Sequence, residues 1–333
     1  TNLRVIDKEN GGKADALNAG INLSRYPLVC CVDADSILQR DSLQRVVQPF
    51  LEDPTTVACG GTVRVVNGCE VSGGFLINVA LPQNWLALFQ IIEYLRAFLF
   101  GRMGWSPINA VLIISGAFGL FHRDTVIAVG GYRHDTIGED MELAVRLHRR
   151  LRDQRKEYRI TFVPDPTCWT EAPENLRTLK NQRIRWQRGL LESLWAHRDL
   201  LFGRNAGTVG WLAFPFLLLF EALSPVVEIF GYVIMTLGFG VGVVSATAVA
   251  AFLMVAIGFG VLLSVSALLL EELSFHVYPR PKHLVMLFLA AIGENFGYRQ
   301  LNAMWKLIGT VQWIRGTKGK WGEMTRTASW QSA

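Results

Sequence analysis

Charge is scarce in this sequence, and the scarcity is local. From Ile229 to Leu270 run 42 consecutive residues without Asp, Glu, Lys or Arg, whereas residues 1–205 carry 25 Lys and Arg and 22 Asp and Glu. Half of the 333 residues are hydrophobic and the mean hydropathy is +0.26, which excludes a disordered chain. Paired cysteine is lacking too. Cys30, Cys31, Cys59, Cys69 and Cys168 are odd in number and form no Cys-x-x-Cys, which argues for reduced, mostly buried thiols and against a disulfide framework or metal role. There is no P-loop: beside Gly12-Lys13 that motif needs Gly at 7 and Ser or Thr at 14, where Asp7 and Ala14 stand. Nor is a signal peptide expected in the opening residues. Thr1-Asn2 leads directly into a strand-like run at residues 3–6, and further sequence is expected upstream.

An apolar run of about 20 residues crosses the roughly 30 Å hydrocarbon core of a bilayer. The uncharged run therefore predicts two spans, near residues 216–239 and 245–270, with a turn at Gly238, Gly240 and Gly242. A third stretch, 283–314, begins apolar but carries Glu294, Arg299 and Lys306, which are costly in lipid unless they face protein or water. An interfacial or re-entrant course is expected there. Arg177, Lys180, Arg183, Arg185, Arg188, Arg198 and Arg204 precede the first span, and such clusters stay cytoplasmic. Arg280 and Lys282, and in the tail Arg315, Lys318, Lys320 and Arg326, fit two crossings that bring the chain back to the same side. Three regions are expected: a cytoplasmic α/β domain with interfacial helices at 1–205, transmembrane and interfacial helices at 206–314, and a basic cytoplasmic tail at 315–333.

Within the first region helical and strand-like segments alternate, implying a sheet with helices on its faces. Residues 28–32 (Leu-Val-Cys-Cys-Val) predict a strand buried on both faces, between helices at 13–23 and 41–51, with Asp41 as the cap of the second. Ligands of such sheets sit beyond the carboxyl ends of the strands. There stand Asp33-Ala34-Asp35. In an extended backbone both carboxylates face one way, which suits a hard cation such as Mg²⁺ or Mn²⁺; a solvated turn is the plainer alternative. Asn10-Gly11-Gly12-Lys13 opens a helix whose free N–H groups favour an anion, or is an ordinary glycine turn. Gly138-Glu139-Asp140 precedes an apolar helical pattern. Its acids either complement the helix dipole or include a general base that takes a proton from an attacking hydroxyl. Gln182-Arg183-Ile184-Arg185-Trp186 places Gln182, Arg185 and Trp186 on one helix face, an amide, a phosphate-gripping fork and a flat ring, or else belongs to a basic helix drawn to lipid headgroups.

Taken together these residues resemble the membrane-integrated family 2 glycosyltransferases, the group of the cellulose, chitin, hyaluronan and poly-N-acetylglucosamine synthases. The resemblance rests on residues 12–18 (Gly-Lys-Ala-Asp-Ala-Leu-Asn), Asp33-Ala34-Asp35, Ser115-Gly116-Ala117, Gly138-Glu139-Asp140 and Gln182-Arg183-Ile184-Arg185-Trp186, five motifs in order over about 175 residues. Residues 90–94 and 320–326 look like the bacterial branch of this group. The resemblance implies a GT-A fold, a UDP-sugar donor, a divalent cation (Mg²⁺ or Mn²⁺) and inversion at the sugar carbon. Region 1–205 would then be a partial GT-A catalytic domain. Lys13 and Asn18 would contact the nucleotide or its phosphates, and Asp33 and Asp35 the diphosphate and metal. Asp140 would be the general base with Glu139 in support. Arg185 would stabilise the departing diphosphate, Trp186 would stack on the acceptor, and Ser115, Gly116, Ala117 and Gln182 would complete the acceptor site.

The resemblance further implies processive extension of a polysaccharide exported across a bacterial inner membrane, with a possible partner subunit. A non-processive transfer to a membrane lipid, or an inactive scaffold or transporter, are the competing readings. No nucleic-acid partner is expected, since Arg146, Arg149, Arg150, Arg152 and Arg155 read as a solvated or headgroup-facing helix surface. Family members carry elements that hold uracil and ribose ahead of residue 1, so this chain alone is expected to bind UDP poorly. Glu221, Glu228, Glu294 and Arg299, in or beside apolar segments, are expected to hydrogen-bond the glycan.

Overall fold

The computed structural model describes residues 3–317. Helix α1 (Lys13–Leu23) leads to strand β1 (Leu28–Val32), the two-residue β2 (Ile37–Leu38), α2 (Ser42–Glu52) and the long β3 (Thr56–Val65). A small hairpin of β4 (Glu70–Ser72) and β5 (Phe75–Asn78) precedes α3 (Trp85–Leu95), which runs through a π-helical stretch, Arg96–Arg102, into α4 (Met103–Trp105). Then come β6 (Phe118–His122), α5 (Arg123–Ala128), α6 (Glu139–Asp153), β7 (Arg159–Thr170) and α7 (Leu176–Ala196). The main sheet has the order β1-β6-β3-β7-β2. β3 and β7 are parallel, β6 is antiparallel to β1 and β3, and β2 is antiparallel to β7. Strands β1, β3 and β7 thus point one way and open their carboxyl ends on one edge.

Three local expectations change. β1 lies at the sheet's edge with β6 as its one strand neighbour, so its burial alternates, Val29 and Cys31 in and Cys30 out, where the apolar run suggested two covered faces. Residues 3–6 pair with no strand among the described residues. Without a ladder they are extended and open, Leu3 and Val5 more than four-fifths exposed. Asp41 stands at the cap position of α2, yet its carboxylate accepts from Arg45 Nε at 2.6 Å and makes no bond to the helix N–H groups.

A continuous apolar helical segment covers Val209–Gly240. Its first part, π-helical at Val209–Ala213 and Leu217–Ala222 around α8 (Phe214–Phe216), buries Val209, Ala213, Phe214 and Leu217 among Leu112, Met141, Val145 and Leu194 of the α/β domain. Its second part, α9 (Ser224–Gly240), starts at Pro225, which lacks the N–H to continue the preceding turn. After a turn at residues 241–245, α10 (Ala246–Ser274) runs back for 29 residues, on the order of 43 Å, longer than a bilayer's apolar core. Its last turns, Ala267, Leu268 and Glu271, are buried against α3 and Val65. Both segments are long and apolar enough to cross a membrane, and in the most apolar 18 residues of each only 17% and 11% of the residues are buried, unlike core helices of a soluble domain.

The stretch 283–314 forms two helices, α11 (Pro281–Gly293) and α12 (Tyr298–Ile314). The charges assigned there to a glycan have protein partners. Glu294 accepts from Ser264 Oγ at 2.5 Å and pairs with Arg96; Arg299 lies 3.5 Å from Glu228, and Lys306 3.8 Å from Glu221. The tail motif at 320–326, with Lys318 and Lys320, lies outside the described residues.

The α/β domain is fastened to α10 by Arg64 of β3, whose Nη2 donates to Glu271 Oε2 at 2.7 Å with both side chains at most 3% exposed. Removing one member strands the other charge in a dry site. Arg64→Met is expected to lower unfolding stability by about 3–5 kcal/mol, with part of the loss recovered by adding Glu271→Gln. Denaturant melts in nanodiscs check this, and equal stability of the single variant and wild type would contradict it.

Candidate active site

The sheet's carboxyl-end edge gathers residues from four separate motifs. Asp33, at the end of β1, lies in a turn rather than in extended chain, its carbonyl accepting the Ser36 N–H at 3.0 Å. Ala34 points out, and the two carboxylates remain close enough for Asp35 to raise Asp33's proton affinity. Lys13, in the first turn of α1, reaches across: Nζ is 2.5 Å from Asp33 Oδ1, 3.4 Å from Glu139 Oε1, and donates to the Gly116 carbonyl at 3.4 Å. On the other side of that residue, the Gly116 N–H donates to Asp140 Oδ2 at 2.9 Å, while Asp140 Oδ1 accepts the N–H of Met141 at 2.8 Å. The Ala117 carbonyl accepts the Asp33 N–H at 3.3 Å, and Ser115 Oγ accepts the Ala117 N–H at 3.3 Å. The turn at Ser115, Gly116 and Ala117 is therefore the hub. A Cβ at 116 would stand 2.7 Å from Lys13 Nζ and 3.2 Å from Asp140 Oδ2, so a side chain there would move the lysine tip.

Burial and like charge set the protonation of this cluster. Glu139, 6% exposed, is raised to about 6 by desolvation and by its neighbour Asp140, with Lys13 working the other way. Burial raises Asp33 despite the opposing pull of Lys13. Burial works against the Lys13 ammonium, but Asp33, Asp140 and Glu139 outweigh it, and its pKa is raised. A fixed cation thus sits among acids, two of which, Asp33 and Glu139, have a raised proton affinity.

The remaining candidates take different places. Asn18 spends its carboxamide on one backbone residue: Nδ2 donates to the Tyr132 carbonyl at 2.8 Å and Oδ1 accepts the Tyr132 N–H at 2.7 Å. It braces the loop at residue 132, a role different from the nucleotide contact implied by resemblance. On α7, Gln182 is buried, Arg185 half-buried, and Trp186 is 43% exposed with the Arg183 guanidinium 4.5 Å above its ring. Arg183 is fully buried, pairs with Glu93 at 2.7 Å, and lies 3.5 Å from the Tyr298 hydroxyl, which itself donates to Glu93 at 3.0 Å. This knot pins α7 between α3 and α12. One turn beyond Trp186, Gly189 touches Gly138, so the Gln-Arg-Ile-Arg-Trp helix lies against the turn that carries the acidic pair.

Arg102 escapes the sequence reading. It ends the π-helical stretch, its guanidinium 3.8 Å above the Phe98 ring; burial lowers it to about 10, while Asp140 and Tyr94 pull the other way. Its signal was an arginine inside the apolar run 97–105. Two carboxylates at one strand end, beside a lysine that itself supplies positive charge, fit a hard cation that takes its other oxygens from phosphate. Among the described residues no group of three or more His, Cys, Asp or Glu could hold a metal, so a cation at Asp33 and Asp35 depends on substrate oxygens.

Comparison with known proteins fits this geometry. The family described as Glycosyl transferase family group 2 matches residues 28–266, most of the chain. The chain belongs to that family. Among its curated relatives, a poly-β-1,6-N-acetyl-D-glucosamine synthase of Staphylococcus aureus (strain COL) is 33% identical over 224 residues, covering 67% of this chain and 48% of the relative. A synthase of the same name from Staphylococcus epidermidis is 31% identical over 198 residues, 58% of this chain and 43% of the relative. This family member thus spans about half the length of the curated relatives it matches. In fold it is similar to the mannosyltransferase PcManGT of Pyrobaculum calidifontis, solved in complex with GDP-Man and Mn²⁺, at a TM-score of 0.51 and 19% identity over 94% of this chain and 70% of the other. That likeness shows a GT-A-type fold followed by a helical region.

The acidic pair makes a signed prediction. Glu139 carries its negative charge fully only above about pH 6, and with that charge it pairs with Lys13. Glu139→Gln removes this ionisation and is expected to flatten the acid limb of the rate–pH profile near pH 6, as read from initial rates between pH 4.5 and 8. A limb that keeps its step near pH 6 in the variant would contradict the assignment.

Proposed function

We propose that this chain is the core of an inverting glycosyltransferase that moves a sugar from a UDP-sugar to the end of a growing polysaccharide. The observation that carries the reading is the meeting of Lys13 and Asp140 at the carbonyl and the N–H of Gly116, which joins a cationic donor side to a carboxylate acceptor side. In this reading Asp140 takes the proton of the acceptor hydroxyl as its oxygen attacks the anomeric carbon, and the bond from that carbon to the diphosphate oxygen breaks. Lys13 and Arg185 stabilise the negative charge that the leaving UDP gains, more in the transition state than in the ground state. Glu139 keeps Lys13 in place, and Trp186 offers its exposed face to the acceptor sugar. Asp33 and Asp35 would hold Mg²⁺ or Mn²⁺, which when bound supplies further charge neutralisation on the diphosphate.

The names of the relatives favour N-acetylglucosamine as the sugar and a polymer as the product. The apolar hairpin of α9 and α10, both ends of which reach the α/β domain, supports a site held at one face of a bilayer, the bacterial inner membrane with the catalytic domain on the cytoplasmic side. Export of the polymer, with or without a partner subunit, is the accompanying proposal.

The test is incubation of membranes bearing the full-length protein with a panel of UDP-sugars and Mg²⁺ or Mn²⁺, followed by sizing of the product. A polymer is expected, and Asp140→Asn is expected to slow its synthesis by at least about 100-fold with the fold retained. A product one sugar longer than a lipid acceptor would favour the non-processive reading. Undiminished turnover in Asp140→Asn would remove the base assignment.

A further inference from the structure

Beyond the Gln-Arg-Ile-Arg-Trp segment, α7 continues for two turns along the loop that leads into the acidic pair. Gly189 and Gly138 meet backbone to backbone: a Cβ on Gly189 would stand 2.8 Å from Gly138 Cα. One turn further, Glu192 Oε2 accepts the Ile137 N–H at 2.9 Å and the Thr136 hydroxyl at 3.1 Å. Thr136 Oγ1 in turn accepts the Gly138 N–H at 3.3 Å. Gly138 is the residue before α6, so the next two are Glu139 and Asp140. The other Glu192 oxygen lies 3.7 Å from Arg188, which also donates to the Thr317 carbonyl at 2.7 Å. Farther along, His197 Nε2 and Glu142 Oε1, 2.9 Å apart, make a second tie between α7 and α6.

We propose that Glu192 is a positioning residue for transfer: fixed on the helix that carries Arg185 and Trp186, it sets the turn 136–138 and so the place of the Asp140 carboxylate relative to the leaving-group clamp. This rests on the transfer reading above. An inverting displacement needs the base and the diphosphate clamp on opposite sides of one carbon, and an error of about 1 Å in such an arrangement can cost 100-fold in rate. Asp140 is held at its carboxylate by the Gly116 N–H, whereas its backbone approach is held by Glu192. With Glu192 removed, the Ile137 N–H and Thr136 hydroxyl lose this acceptor, while the Gly138–Gly189 contact with α7 remains. Arg188 links the same carboxylate to the end of α12, so a displacement of α12 reaches the acidic pair along this route.

The test compares Glu192→Ala, Glu192→Gln and Asp140→Asn in the full-length protein in nanodiscs, with the UDP-sugar concentration varied and rates expressed per folded enzyme. The glutamine carbonyl can accept both bonds, so Glu192→Gln should stay within about threefold of wild type in kcat and KM, whereas Glu192→Ala should lose about 10- to 100-fold in kcat with KM within threefold. Glu192→Ala retaining more than a third of wild-type kcat overturns the proposal. So does Glu192→Gln as slow as Glu192→Ala, or a loss that follows the amount of folded protein alone. Wild-type turnover in Asp140→Asn, or a wild type that uses no UDP-sugar, brings down the transfer reading and this proposal with it. Failure confined to the Glu192 variants removes the positioning role and leaves the transfer reading standing.

Discussion

One lysine ammonium among three carboxylates is the constraint on which the site depends. Lys13 is fixed between Asp33 and Glu139 and bonds the carbonyl of Gly116, the residue whose N–H holds Asp140. Without that cation, acids from β1 and α6 would face each other half-buried, and mutual repulsion would push the sheet edge and the helix start apart. With it, they lie within one peptide of each other. The glycine at 116 suits that closeness, because a Cβ there would press on the lysine tip.

The same economy recurs where the α/β domain meets the apolar helices. Several charges set in greasy surroundings are paired: Arg64 with Glu271, Arg96 with Glu294, Arg183 with Glu93, Arg299 with Glu228. Each pair joins segments far apart in the chain, so each also acts as a staple between domain and hairpin or within the helical region. A buried pair adds little to stability compared with apolar packing, but it specifies which surfaces meet. That specificity matters for a protein whose α7 must lie against both α12 and the turn before α6.

Much of this was legible in the sequence because its signals are local. The apolar run 229–270 has a length set by the bilayer, α1 and α6 carry clear periodicity, and the acids at 33, 35, 139 and 140 stand where ligand-binding edges of α/β sheets fall. Less legible were features that depend on neighbours. β1 reads as a central strand, since its five apolar residues do not say that it lies at an edge. Asn18 reads as a ligand contact because a polar residue on a helix near a glycine turn gives no sign that Tyr132 will take its amide. Glu221, Glu228 and Glu294 look like glycan contacts until their cations, one of them 198 residues away in the chain, are brought beside them. Arg102 and Glu192 pass unnoticed for the same reason.

The most direct measurement is a structure of the full-length protein in a lipid nanodisc with UDP and Mn²⁺. The diphosphate is expected between Lys13 and Arg185, with the cation on the Asp33–Asp35 turn and Lys13 Nζ within about 3 Å of a phosphate oxygen. A nucleotide lodged elsewhere, with Lys13 still spent on Asp33 and Gly116, would contradict the donor site drawn around that lysine.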